Sequence, residues 1–237
     1  MRNYFTLGGV DSRDYGVYIS GGGVYNAPER AIDFIAVPGR DGDLIGMSNR
    51  LENGTLTYSN AFIYANFQTQ ITAFKALLLQ TNAYRRLIDS YNPDEYRLAV
   101  FAGELKVNPT TKLDAGEFDI IFNVMPQRFL LSGDQVTELT VTGTITNPTV
   151  FPSKPLMRVY GNGVLGVGAD SITIINNTNN YIDINCQSGL AYRGATNMNS
   201  SITLSGFDFP ALVGGVNNIA LGTGITKVEI TPRWWRV

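Results

Sequence analysis

The stretch EFDIIFNV, residues 117–124, puts Phe118, Ile120, Phe122 and Val124 at every second position. A period of two is the signature of a half-buried β-strand and does not fit a helix. The pattern recurs along the chain. SITII from Ser171, YIDINC from Tyr181, SITLS from Ser201 and KVEIT from Lys227 are short alternating strands separated by Gly/Asn clusters. Evenly spaced strands with such turns predict a β-sandwich in the second part. RLAVFA from Arg97 and AIDFIAV from Ala31 read as strands buried on both faces, and 25 Gly with 10 Pro point to many turns. One helix is expected, about residues 66–81, where Ile71, Phe74, Leu77 and Leu78 form an apolar stripe. Asn66 is placed to cap its start and Asn82 to end it. The fold class is therefore mainly β.

Length and charge divide the chain. At 237 residues it holds one large domain or two medium ones, and two is the expectation. Residues 1–130 carry 12 Lys/Arg and 14 Asp/Glu, whereas residues 131–237 carry 6 and 6 and are rich in Asn, Gly and Thr. A Thr-rich stretch ending in three spaced prolines, Ser132–Pro155, reads as the linker. The expected domains are residues 1–131 and 132–237.

Composition closes off several chemistries. Without a single histidine, His-dependent triads, His general bases and most common zinc and iron sites are excluded. Cys186 is the only cysteine, so no intrachain disulfide forms, and its alternation with Ile182 and Ile184 marks a small core residue. No stretch approaches the ~18 uncharged apolar residues that a span needs, and the opening MRNYFTLGG has no apolar signal core. The expectation is synthesis in a cytoplasm without membrane insertion, which leaves the sequons at Asn53, Asn176 and Asn199 as chance matches. A net charge of −2 supplies no positive field for nucleic acid.

Three motifs are decoys in their context. DGDLIGMSNRLE, residues 41–52, has Asp41, Asp43, Gly46 and Glu52 at calcium-loop positions, but Ile45 stands where an oxygen ligand belongs. Pro38-Gly39 before it and Asn53-Gly54 after it are turn signals, so the segment is expected to be a loop or hairpin between strands, and no metal is assigned. GNGVLG, residues 161–166, is followed by a turn and a strand rather than the helix that a dinucleotide site needs. Glu117 and Asp119 lie on the wet face of one strand, so no catalytic pair or cofactor is assigned. In the closing PRWWRV, Trp234 and Trp235 either tie down the end of the chain or leave one indole as an exposed aromatic interface.

Taken in order, FTLGGVDSRDYGVYISGG, VPGRDGDLIG, LIDSYNPDEYRLAVFAGEL, FNVMPQRFLLSG, NPTVFPSKPLMRVYGNG and PRWWRV resemble the distal tail protein (Dit) family of long non-contractile-tailed bacteriophages and their prophages. The resemblance implies a virion component rather than an enzyme, made in the bacterial host cytoplasm and located at the tail tip. It implies an N-terminal ring-forming β-sandwich or split-barrel-like domain with one helix, and a C-terminal galectin-like β-sandwich. The implied assembly is a homo-hexameric ring that joins the tail tube and the tape-measure end to the tail-associated tip protein. Receptor-binding proteins attach to such hubs in many phages, and DNA passes the lumen unbound. Pro38, Gly39, Arg40, Asp41, Gly42 and Asp43 then look like a family loop at a ring interface, with Arg40 as donor and Asp41 or Asp43 as acceptors, within or between subunits. The alternative is a carbohydrate-binding module protein that reads surface glycan through Trp234 or Trp235.

Overall fold

In the computed structural model, residues 2–64, 66–110, 114–175, 177 and 181–237 are described. Asn176, one of the sequons, lies outside them. The chain forms two compact units, Met1–Arg128 with Val237, and Phe129–Arg236.

The strands of the first unit are β1 (Phe5–Leu7), β2 (Val10–Asp11), β3 (Val17–Tyr18), β4 (Arg30–Ile35), β5 (Leu44–Leu51), β6 (Gly54–Tyr64), β7 (Arg85–Asp89), β8 (Glu95–Phe101), β9 (Val107–Pro109) and β10 (Ala115–Leu130). All but β4 and β5 join one sheet in the order β2-β1-β7-β8-β10-β6-β3, with β9 also on β10. The long strand β10 keeps the alternation read from its sequence: Phe118, Ile120, Phe122 and Val124 are buried, and the pairing with β6 shifts register only between Phe118 and Ile120. Phe5, Tyr58, Phe74 and Phe122 meet through stacked and edge-to-face rings at the centre of this core.

Helix α1 (Phe67–Leu79) closes the core with Ile71, Phe74, Leu77 and Leu78, the stripe its sequence predicts. Its ends differ from expectation. Asn66 sits in the left-handed region at φ 51 and makes no side-chain cap, and the helix stops before Asn82. What finishes it is Arg85 of β7, whose guanidinium donates to the carbonyls of Leu77 and Leu78 at 2.9 and 3.1 Å. A cation there satisfies the carbonyls left over at a helix C-terminus and meets the negative end of its dipole.

The second unit contains β11 (Thr137–Leu139), β12 (Gly143–Asn147), β13 (Leu156–Gly161), β14 (Gly163–Val167), β15 (Asp170–Ile174), β16 (Tyr181–Asn185), β17 (Leu190–Arg193), β18 (Thr196–Asn197), β19 (Ile202–Leu204), β20 (Gly215–Leu221), β21 (Ile225–Thr231) and β22 (Trp235–Arg236). All but β22, which pairs β10, build a six-stranded sheet, β11-β21-β13-β16-β17-β18, and a five-stranded sheet, β12-β20-β14-β15-β19. Met157, Val159, Ile182, Ile184, Val228 and Ile230 of the first meet Leu165, Val167, Ile172, Ile174 and Ile219 of the second in one core, which is a β-sandwich. Cys186 is buried among them. GNGVLG is the β13–β14 turn, where Gly161 and Gly163 take φ 95 and 142, conformations open to glycine.

One expectation changes here. Ser132–Pro155 is not a free linker: β11 pairs β21 from Thr137 to Leu139, and β12 pairs β20 from Gly143 to Asn147. The Thr-rich alternation that looked like spacer is strand sequence whose inward residue Ile145 belongs to the core.

Candidate functional site

Among the described residues, strands β4 and β5 pair only with each other. The ribbon is built locally. Arg40 N–H donates to Val37 O at 3.2 Å, with Pro38 and Gly39 (φ 79) at the central positions, the arrangement of a type II turn. Glu52 N–H donates to Glu29 O at 2.8 Å and closes the base. Asp41 and Asp43 therefore sit at a hairpin tip while Ile45–Leu51 runs along β5, so the twelve-residue wrap of a calcium loop is not formed.

The faces of this arm carry the main departure from the sequence reading. AIDFIAV was expected to be buried on both sides, yet Phe34 is 67% exposed and Ile35 52%, with Ile45 at 59% and Leu44 at 42%. The register pairs Phe34 with Ile45 and Ile35 with Leu44. Neighbouring positions in a strand point to opposite faces, so each face of the arm shows one apolar pair. At the tip Pro38, Gly39, Arg40, Asp41, Gly42 and Asp43 are all exposed. The Arg40 guanidinium makes no ion pair among the described residues, although Arg13, Arg128, Arg158 and Lys227 are all paired.

A second feature of the first unit lies on the outer side of β6, β9 and β10. Two cavities of about 440 and 500 Å³ share Asn108 and Glu117. The smaller is walled by Phe62 and Tyr64, and the larger by Glu104, Lys106 and Asp119. Tyr18, Phe62 and Tyr64 stand nearly parallel with centroids 5.7–6.0 Å apart, and the Arg2 guanidinium lies 4.4 Å from the Tyr64 ring centre. Glu117 and Asp119 are exposed, as their place on the wet face required, and Asp119 accepts the Asn60 N–H at 2.9 Å.

The two tryptophans differ in exposure: Trp234 is buried and Trp235 half-buried. Trp234 is buried in the core of the second unit. Trp235 stacks on Phe151 with centroids 4.6 Å apart, and its Nε1–H donates to Pro152 O at 2.9 Å. Both rings fasten the end of the chain. Among the described residues no group of three or more His, Cys, Asp or Glu is placed to hold a metal ion. No helix of the described residues is long and apolar enough to cross a membrane.

No protein-family model and no curated protein matches this sequence. Among solved structures, the crystal structure of the Dit protein of phage SPP1, described as a paradigm of the hub adsorption apparatus in phages infecting Gram-positive bacteria, is similar over 100% of both chains, with a TM-score of 0.75 at 11% identity. A chain of the phage p2 baseplate, in its activated conformation with Sr, gives a TM-score of 0.50 at 12% identity over 99% of this chain and 98% of that one. At such identities the likeness shows the fold, and the fold is that of a phage tail-hub protein along the whole chain.

Proposed function

We propose that this chain is a structural subunit of a phage tail tip, a ring-forming hub rather than an enzyme. The observation that carries the reading is the arm. A two-stranded ribbon is marginal in water by itself, and one with apolar pairs on both faces is built to be covered. Its sequence has the continuous apolar run of a strand buried on both sides, which a subunit alone does not provide. Copies of the same chain supply the cover. The hub fold of the SPP1 protein supports this.

In this reading the ring is a homo-hexamer of first units, with the second, galectin-like unit outside the ring contacts. The hub joins the tail tube and tape-measure end to the tip protein and offers a platform for receptor-binding proteins. A net charge of −2 suits a lumen that passes DNA without gripping it.

The test is the mass of the full-length protein in solution, with negative-stain images. Rings of six are expected. Phe34→Asp and Leu44→Asp, one on each face of the arm, should each leave the thermal unfolding midpoint within about 2 °C, because neither side chain is buried in the subunit. Both should abolish the ring. Rings that persist in both variants would show that the arm is not the contact.

A further inference from the structure

Asn53–Gly54 and Asn162–Gly163 are the two Asn–Gly pairs of the chain. Asparagine is a thermolabile residue, and it is most reactive before glycine, because no Cβ then hinders the backbone nitrogen that follows it. The structure gives the two glycines different standing. Gly163 takes φ 142, and a Cβ on it would lie 2.4 Å from Thr223 O, so the β13–β14 turn requires glycine. Gly54 has no positive φ, and the one atom that a Cβ on it would meet within 4 Å is Val124 Cγ2, at an ordinary 3.7 Å. It is the first residue of β6, opposite Val124 of β10, a place with room for alanine. A left-handed turn therefore does not explain the glycine at 54.

The two asparagines differ as well. Asn162 is half-buried, and its Oδ1 accepts the Asn177 N–H at 2.7 Å, which ties the side-chain carbonyl down. Asn53 is exposed. Its Nδ2 donates to Tyr84 Oη at 2.5 Å and to Asn123 Oδ1 at 2.8 Å, and Tyr84 O–H donates to Asn123 Oδ1 at 3.1 Å. Here it is the amide nitrogen, the group that would leave, that is held.

We infer that Asn53 is a site of spontaneous covalent modification, with the Tyr84–Asn123 pair as the brake on it. The Gly54 nitrogen bonds to Asn53 Cγ, the Cγ–Nδ2 bond breaks, and ammonia leaves with the proton from the Gly54 nitrogen. Water then opens the five-membered imide at one of its two carbonyls, giving an aspartyl or an isoaspartyl residue. Either product adds one negative charge to the formal −2 of the chain. The isoaspartyl form also adds a methylene to the backbone one residue after Glu52, whose N–H closes the base of the arm on Glu29 O at 2.8 Å. The site does not depend on the hub reading.

The test is to hold the full-length protein at about pH 8.5 and about 37 °C for weeks, then digest it and locate mass changes by fragmentation mass spectrometry. Position 53 should gain about 1 Da, in two chromatographically separate forms, at least tenfold faster than position 162. Gly54→Ala should slow the gain at least tenfold, and Tyr84→Phe, which removes one acceptor from Nδ2, should speed it severalfold. In the aged protein the Glu52 amide should exchange its hydrogen faster than in freshly made Asn53→Asp, which carries the charge without the methylene. No gain at position 53, an equal rate at position 162, or a rate that Gly54→Ala or Tyr84→Phe leaves unchanged would overturn the inference. Equal exchange at Glu52 would overturn the effect on the base of the arm.

Discussion

Gly133 shows how one missing methyl group fixes the end of this chain. A Cβ there would lie 2.3 Å from the Trp234 backbone nitrogen, and the Gly133 carbonyl accepts the Arg233 N–H at 2.7 Å. Gly133→Ala must push two backbones apart, so it should destabilise the second unit by about 2–3 kcal/mol, read as a lower denaturant midpoint. Gly42→Ala makes an instructive contrast: its Cβ meets nothing within 4 Å, and only the strain of φ 79 remains, about 1 kcal/mol. Cys186 gives a test by titration. Burial pushes its thiol up to about 12, so the folded state prefers the neutral form. That preference stabilises the fold fully below the ordinary thiol value of about 8.5 and is lost as pH rises toward 12. A thiol reagent at pH 8 should label Cys186 only when denaturant unfolds the second unit. Labelling at the rate of a free thiol in native buffer would contradict the burial. The sequence made Cys186 legible because alternation with Ile182 and Ile184 fixes its face. It did not make Asn66 legible, because an Asn before an apolar run satisfies a capping pattern whether or not its backbone turns left-handed.

Among the elements, those whose alternation is completed within the subunit were readable, and β10 is the clearest. The arm was misread for the opposite reason. AIDFIAV has the apolar run of a buried strand, and composition alone does not separate a core strand from an exposed arm. The groove of the two cavities was not legible either. Tyr18, Phe62, Tyr64, Asn108 and Glu117 are scattered in sequence, and only the β3–β6–β10–β9 pairings bring them to one surface. The stretch Ser132–Pro155 was misread because Thr alternation is equally good spacer and edge strand. Since β11 and β12 are paired, limited proteolysis of native protein should spare Thr137–Asn147, and cleavage should begin in exposed loops instead. Rapid cutting between Thr137 and Leu139 would mean that β11 does not hold to β21 in solution. Trp235→Ala removes a stacked ring and a hydrogen bond from Phe151 and Pro152, so it should loosen the end of the chain by about 2 kcal/mol. It should leave assembly unchanged.

At the scale of the whole molecule, the proposed assembly divides its roles according to where the charges, the exposed arm and the groove lie. The first 130 residues hold 26 of the 38 charged side chains, as well as the arm and the groove. Complementary charges set the register of a contact more than its strength, and register decides whether a head-to-tail contact closes. The second unit has its own core of Met157, Val159, Leu165, Ile182, Ile184 and Ile230, so it can fold as a separate body once its first strands are kept. A fragment beginning at Phe129 should unfold cooperatively, whereas one beginning at Leu156 lacks β11 and β12 and should not. A chain ending at Leu130 should then form the same ring as the full-length protein, at a higher concentration because the cut frees the end of β10 from Trp234, to whose carbonyl Leu130 N–H donates at 2.9 Å. Far-UV circular dichroism and a cooperative thermal transition would establish that the shortened chain is folded. Its mass and negative-stain appearance would then decide. If it is folded but monomeric at concentrations tenfold above those where the full-length protein closes, the ring needs the second unit, and the arm alone does not carry assembly.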